Sequence, residues 1–106
     1  MKKIAIFASS TTTVQIEAIE KLIANEPTNA FFVQGAKLKG ENVTIIPEPD
    51  RFLDVCGDAD DLILIGESNF IIEEKMLNSF YSYRLGSVWH LPHLGRWMRV
   101  LLSQSQ

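Results

Sequence analysis

Apolar residues fall in short runs that alternate with longer segments of helical spacing. Ile4-Ala5-Ile6-Phe7-Ala8 is apolar throughout, which predicts a strand over Lys3 to Ala8 buried on both faces. It breaks into Ser9-Ser10-Thr11-Thr12-Thr13. A helix over Val14 to Asn25 follows, with Thr12 or Thr13 as N-cap and Val14, Ala18, Ile19, Leu22 and Ile23 on one side. Pro27 ends it, because the residue before a proline avoids the helical region. Ala30 to Val33 and Val43 to Ile46 read as two further strands, separated by a polar turn region over Gly35 to Asn42. Pro47 and Pro49 stop the second of these. A short helix over Arg51 to Cys56 and an acidic turn of Asp58, Asp60 and Asp61 come next.

Leu62-Ile63-Leu64-Ile65 is the clearest strand, apolar on both sides and so central. The loop Gly66 to Asn69 follows, then a helix over Ile71 to Tyr81 with Ile72, Met76, Leu77 and Phe80 on one stripe. Leu85 to His90 reads as a fifth strand. Pro92 opens the last element. There Leu94, Trp97, Met98, Leu101 and Leu102 recur at helical spacing, which predicts a C-terminal amphipathic helix. Strands alternating with helices imply a single α/β domain over residues 1–106. The expected fold is a small three-layer, Rossmann-like sandwich of about five mostly parallel strands with helices on both faces.

The length of 106 residues suffices for one core. No apolar stretch approaches the ~20 residues of a membrane span, and no secretory pattern opens the chain. Cys56 is the single cysteine and lies at an apolar helix position, so it reads as a core residue in a reducing, cytoplasmic setting. Charge is unevenly spread. Residues 41–74 carry ten acids against Arg51, whereas residues 75–106 carry Lys75, Arg84, Arg96 and Arg99 with no acid. The dipolar surface this implies favours self-association. A net charge of -3 leaves no broad basic footprint and argues against nucleic acid.

In open parallel sheets, ligands sit outside the carboxyl ends of strands, beside helix N-termini. Ser9, Ser10, Thr11 and Thr12 are therefore candidate ligands for a small anion such as a phosphate. The loop has no Lys and no Gly, so it matches neither the Walker pattern nor the dinucleotide fingerprint. Ser68 and Asn69, His90 and His93 fall at the ends of later strands and would converge on the same crevice. His90 is the acid–base candidate. No set of metal ligands is complete, the acidic run reads as a solvated turn, and the pattern names no cofactor. A second reading places an interface on the C-terminal helix through Trp97, Arg99 and Leu101, serving a homodimer or a protein partner.

Three segments carry a resemblance. Lys3-Ile4-Ala5-Ile6-Phe7-Ala8-Ser9 resembles the opening of folate-dependent formyltransferases of the glycinamide ribonucleotide type. Asp61-Leu62-Ile63-Leu64-Ile65-Gly66 resembles their second conspicuous strand. Arg84-Leu85-Gly86-Ser87-Val88-Trp89-His90-Leu91-Pro92 resembles their Asn-x-His-Pro-Ser-Leu-Leu-Pro segment. The resemblance implies a phosphate site in the first loop and, with a one-residue gap, a carbonyl-polarising role for His90. The family's glycine-rich loop has no glycine here, and its Asn has no counterpart under that gap. The resemblance thus points to a truncated or divergent formyltransferase-like domain.

Overall fold

The structure is a computed structural model and describes residues 1–9, 11–66, 70–81, 87–91 and 98–100. The described elements are β1 (Lys3–Ser9), α1 (Thr13–Asn25), β2 (Ala30–Gln34), β3 (Val43–Ile45), α2 (Pro49–Asp58), β4 (Asp61–Gly66), α3 (Phe70–Tyr81), β5 (Ser87–Leu91) and β6 (Met98–Val100). They form one six-stranded sheet in the order β3-β2-β1-β4-β5-β6. The first five strands are mutually parallel, and β6 runs antiparallel to β5. This is the strand order of the doubly wound fold; the alternation of elements predicts the parallel sheet but not this order.

The period of two along each strand divides the core into two layers. Ile4, Ile6 and Ala8 of β1 share one face with Phe31 and Val33 of β2 and Ile63 and Ile65 of β4, and Ile19 and Ile23 of α1 cover them. Ala5, Phe7, Leu62, Leu64 and Val88 point the other way. They pack against Phe52 and Cys56 of α2 and Met76 and Phe80 of α3. Each of those helices applies an i, i+4 pair to the sheet, the spacing that stacks side chains one turn apart. The Phe7 and Phe52 rings meet at 6.2 Å between centroids, tilted by 40°, a favourable aromatic geometry.

Two details of α1 depart from the sequence expectation. Val14 is 60% exposed. The core face runs through Gln15, Ile19 and Ile23 instead, because position 14 lies five residues, about 140° of helix, from Ile19. Gln15 is fully buried. Its side-chain Oε1 accepts from the Thr12 amide at 2.8 Å, while the Thr12 hydroxyl accepts from the Gln15 amide at 3.2 Å. Thr12 is thus the N-cap, and the two residues form a reciprocal capping box.

Parallel strands are ordinarily joined by a helix or another long crossover. Here β2 reaches β3 through residues 35–42 without a helix. Leu38, 7% exposed, fills the core position that a crossover helix would supply. At the head of this loop Gly35 takes φ +102°, and a Cβ there would lie 1.8 Å from the Ala8 carbonyl oxygen. The loop therefore lies against the backbone of β1 just before its last residue.

One expectation is corrected and another is refined. Met98–Val100 is a strand, not part of a C-terminal helix, and pairs Val88 with Val100, Trp89 with Arg99 and His90 with Met98. Over three residues, apolar–basic–apolar satisfies the strand period as well as the helical one. The open edge of β5 supplies the hydrogen-bonding partner that decides between them. The acidic segment is solvated at Asp58, whose side chain is 62% exposed, but it spans a helix end and a strand start and its carboxylates are paired. Asp58 ends α2 and binds Lys3 Nζ at 2.9 Å, Asp60 accepts from the Lys3 amide at 2.8 Å, and Asp61 opens β4 and binds Lys2 Nζ at 3.2 Å. These contacts tie the amino ends of β1 and β4 together. Among the described residues, no helix is long and apolar enough to cross a membrane.

Candidate functional site

Chain connections reverse direction at β1: one crossover leads outward to β2, and the later elements build outward from β4. Such a switch point opens a crevice at the strand carboxyl ends. Its two walls are Ser9 and Gly66, paired directly across the sheet as the last residues of β1 and β4. Ser9 is half-buried. Gly66 is buried with φ +80°, a conformation open to glycine at little cost. It leaves the floor beside Ser9 without a side chain. The hydroxyl loop lacks a glycine, and the glycine that adjoins it across the sheet comes from β4.

The first turn of α1 begins at Thr13, four residues beyond Ser9. A helix start presents N–H groups that have no acceptor within the helix and carries a partial positive charge. The Thr12 hydroxyl accepts from the Gln15 amide, which fixes its position and leaves its own O–H to donate. Ser9, half-buried Thr11, exposed Thr12 and the amides of Thr13 and Val14 are the described groups beside the crevice. The capping box holds this turn in place. Its spacing, Thr-x-x-Gln, is legible in sequence, yet Gln15 is absent from the sequence-derived site.

His90 occupies a defined register position, opposite Leu64 of β4, which in turn pairs with Phe7. Two strand spacings and two residues of rise place its Cα roughly 12 Å from that of Ser9. His90 therefore belongs to the same sheet end as Ser9, below the rim and two strands away. Ser10, Ser68, Asn69 and His93 lie outside the described residues. So do Trp97 and Leu101. Arg99 is the central residue of β6, so the helical interface drawn through it has no helix there.

A dinucleotide-binding chain places an acid after β2 to take the ribose hydroxyls. Here β2 ends in Gln34, whose Nε2 donates to the Pro47 carbonyl at 3.4 Å. The missing acid agrees with the missing glycine fingerprint. Cys56, fully buried in α2, has its thiol pKa pushed up to about 12 by desolvation. It is a packing residue, not a nucleophile. Among the described residues, no group of three or more His, Cys, Asp or Glu side chains could hold a metal ion.

No family model, curated protein or solved structure matches the chain.

Proposed function

We propose that this domain binds a small phosphorylated metabolite or nucleotide at the β1–β4 switch point, as a divergent formyltransferase-like domain. The observation that supports this most is the pairing of Ser9 with Gly66 at adjoining strand ends, directly before the capped first turn of α1. In this reading the Ser9, Thr11 and Thr12 hydroxyls and the Thr13 and Val14 amides take the anion, and Gly66 gives it room. Ser10 follows Ser9 in sequence, Ser68 and Asn69 follow β4 in sequence, and His93 follows β5. His90 is the acid–base candidate for any reaction on the bound molecule.

Thermal unfolding against inorganic phosphate, sugar phosphates and nucleoside monophosphates tests the proposal. A ligand at 100 times its Kd adds about 2.7 kcal/mol, which raises the midpoint of a domain this size by roughly 10 °C or more. The expected result is a shift with at least one phosphorylated compound that disappears in Ser9→Ala/Thr11→Ala, whose own midpoint stays near wild type. The absence of a shift across the panel, or a shift the double variant retains, overturns it.

A further inference from the structure

The opposite end of the molecule carries a cavity of about 340 Å³ that plays no part in the switch-point reading. It lies over the amino ends of β1 and β4, on the face of the sheet that α1 covers. Ile4 and Ile63 form its apolar floor, Leu22 of α1 and Trp89 of β5 its walls, and Lys2, Glu26 and Asp61 its polar lining. Its size falls at the lower end of the range of small-molecule sites, roughly 300–1,000 Å³. Apolar walls with a few convergent charged groups are the usual composition of such sites.

Charge decides the class of occupant. Asp61 and Glu26 contribute two carboxylates, and Lys2 contributes one ammonium. The Lys2 side chain is 61% exposed, while that of Asp61 is 13% exposed, so the cation of the pair faces water and the anion faces inward. Leu22 belongs to the last turn of α1 and Glu26 is its C-cap. A helix carboxyl end carries roughly half a negative charge, and this one has no basic residue in its last turn. Glu26 Oε1 accepts from Asn29 Nδ2 at 3.2 Å, which steadies the carboxylate. A carboxylate retains capacity for further donors after one such bond. The indole of Trp89 adds a face that attracts cations.

We infer that this cavity is a binding site for a small organic cation, an ammonium carried on an aromatic or alkyl body. The body packs on Ile4, Ile63, Leu22 and Trp89, and the ammonium lies between Glu26 and Asp61. α1 then serves two sites of opposite charge, with its amino end at the switch point and its carboxyl end here. This inference stands independently of the phosphate reading.

Saturation-transfer NMR and titration calorimetry with tryptamine and indole-3-propionate test it, since the two share a body and differ in the sign of the end group. Tryptamine is expected to bind, and indole-3-propionate at least ten-fold more weakly. Glu26→Gln, which keeps an acceptor for Asn29, should weaken tryptamine at least three-fold, and Glu26→Lys should invert the preference. Leu22→Trp should fill the cavity and abolish binding. Should Leu22→Trp fail to fold, the two Glu26 variants decide, because position 26 is at the cavity rim. Failure of tryptamine to bind at millimolar concentration overturns the inference. So does equal binding of both compounds, or binding unchanged in the Glu26 variants.

Discussion

Gly35→Ala is the substitution whose consequence the structure specifies most closely. The residue sits at φ +102°, where an L side chain costs about 1–3 kcal/mol. The new Cβ would also stand 1.8 Å from the Ala8 carbonyl oxygen and 2.9 Å from its carbon. Carbon–oxygen contacts close no further than about 3.3 Å, so one backbone must retreat by roughly 1.5 Å. Ala8 is 2% exposed and paired with Ile65, which leaves the β2–β3 loop to move. That displacement draws Leu38 from the core, forfeiting part of the roughly 1.5–3 kcal/mol that burial of a leucine contributes. The total comes to about 3–5 kcal/mol, a large share of the stability of an ordinary small domain. At about 4–6 °C per kcal/mol the midpoint should fall by roughly 15–25 °C. Urea and thermal unfolding followed by far-ultraviolet circular dichroism measure it. Gly57→Ala is the control. It lies within α2, its Cβ would sit 3.4 Å from the Ser79 carbonyl oxygen, and alanine favours helix, so stability should hold or rise by about 0.5 kcal/mol. A Gly35→Ala protein within about 1 kcal/mol of wild type would refute the packing of this loop on β1.

Three further outcomes follow from the same packing. Thr12→Ala removes the hydroxyl half of the capping box, leaving the backbone amide at position 12 to donate to Gln15 Oε1, and should cost about 1–2 kcal/mol in urea unfolding, with the buried Gln15 amide losing a partner; no loss would discount the cap. Leu38→Ala should cost about 2–3 kcal/mol if the residue replaces a crossover helix in the core, and a cost typical of a surface change would contradict that role. Between the ordinary thiol pKa, near 8.5, and about 12, only the unfolded chain ionises Cys56, so stability falls as pH rises through that window. The midpoint should therefore drop more steeply with alkaline pH in wild type than in Cys56→Ala, and native protein at pH 8 should resist a thiol reagent until it unfolds. Parallel slopes or rapid native labelling would contradict the buried-thiol assignment.

Much of the fold is legible in the chain because its strands are buried on both faces and so appear as unbroken apolar runs. Ile4 to Ala8 and Leu62 to Ile65 are central for that reason, and the alternation of elements leads to the parallel sheet. The misreadings have local causes. Met98-Arg99-Val100 is too short for periodicity to choose helix over strand, and only the edge of β5 resolves it. Val14 looks like core because valine is apolar, yet the register fixed by Ile19 and Ile23 turns it outward and Gln15 inward. Asp58, Asp60 and Asp61 read only as a solvated turn, without their pairing, because their partners, Lys2 and Lys3, lie more than fifty positions away. The same separation hides the organic-cation cavity, assembled from Lys2, Leu22, Asp61 and Trp89. The switch-point crevice was easier to anticipate, since a strand end and a helix start adjoin in sequence. The contribution of Gly66 required the register between β1 and β4.

The most direct measurement is a ¹H–¹⁵N correlation spectrum of the uniformly labelled protein, titrated with inorganic phosphate and then with a nucleoside monophosphate. The account predicts saturable shifts concentrated at the amides of Ser9, Thr11, Thr13, Val14 and Gly66, with those at the amino ends of β1 and β4 unmoved. Shifts scattered over the surface lysines, or none at the Ser9–Gly66 pair, would contradict an anion site at the switch point.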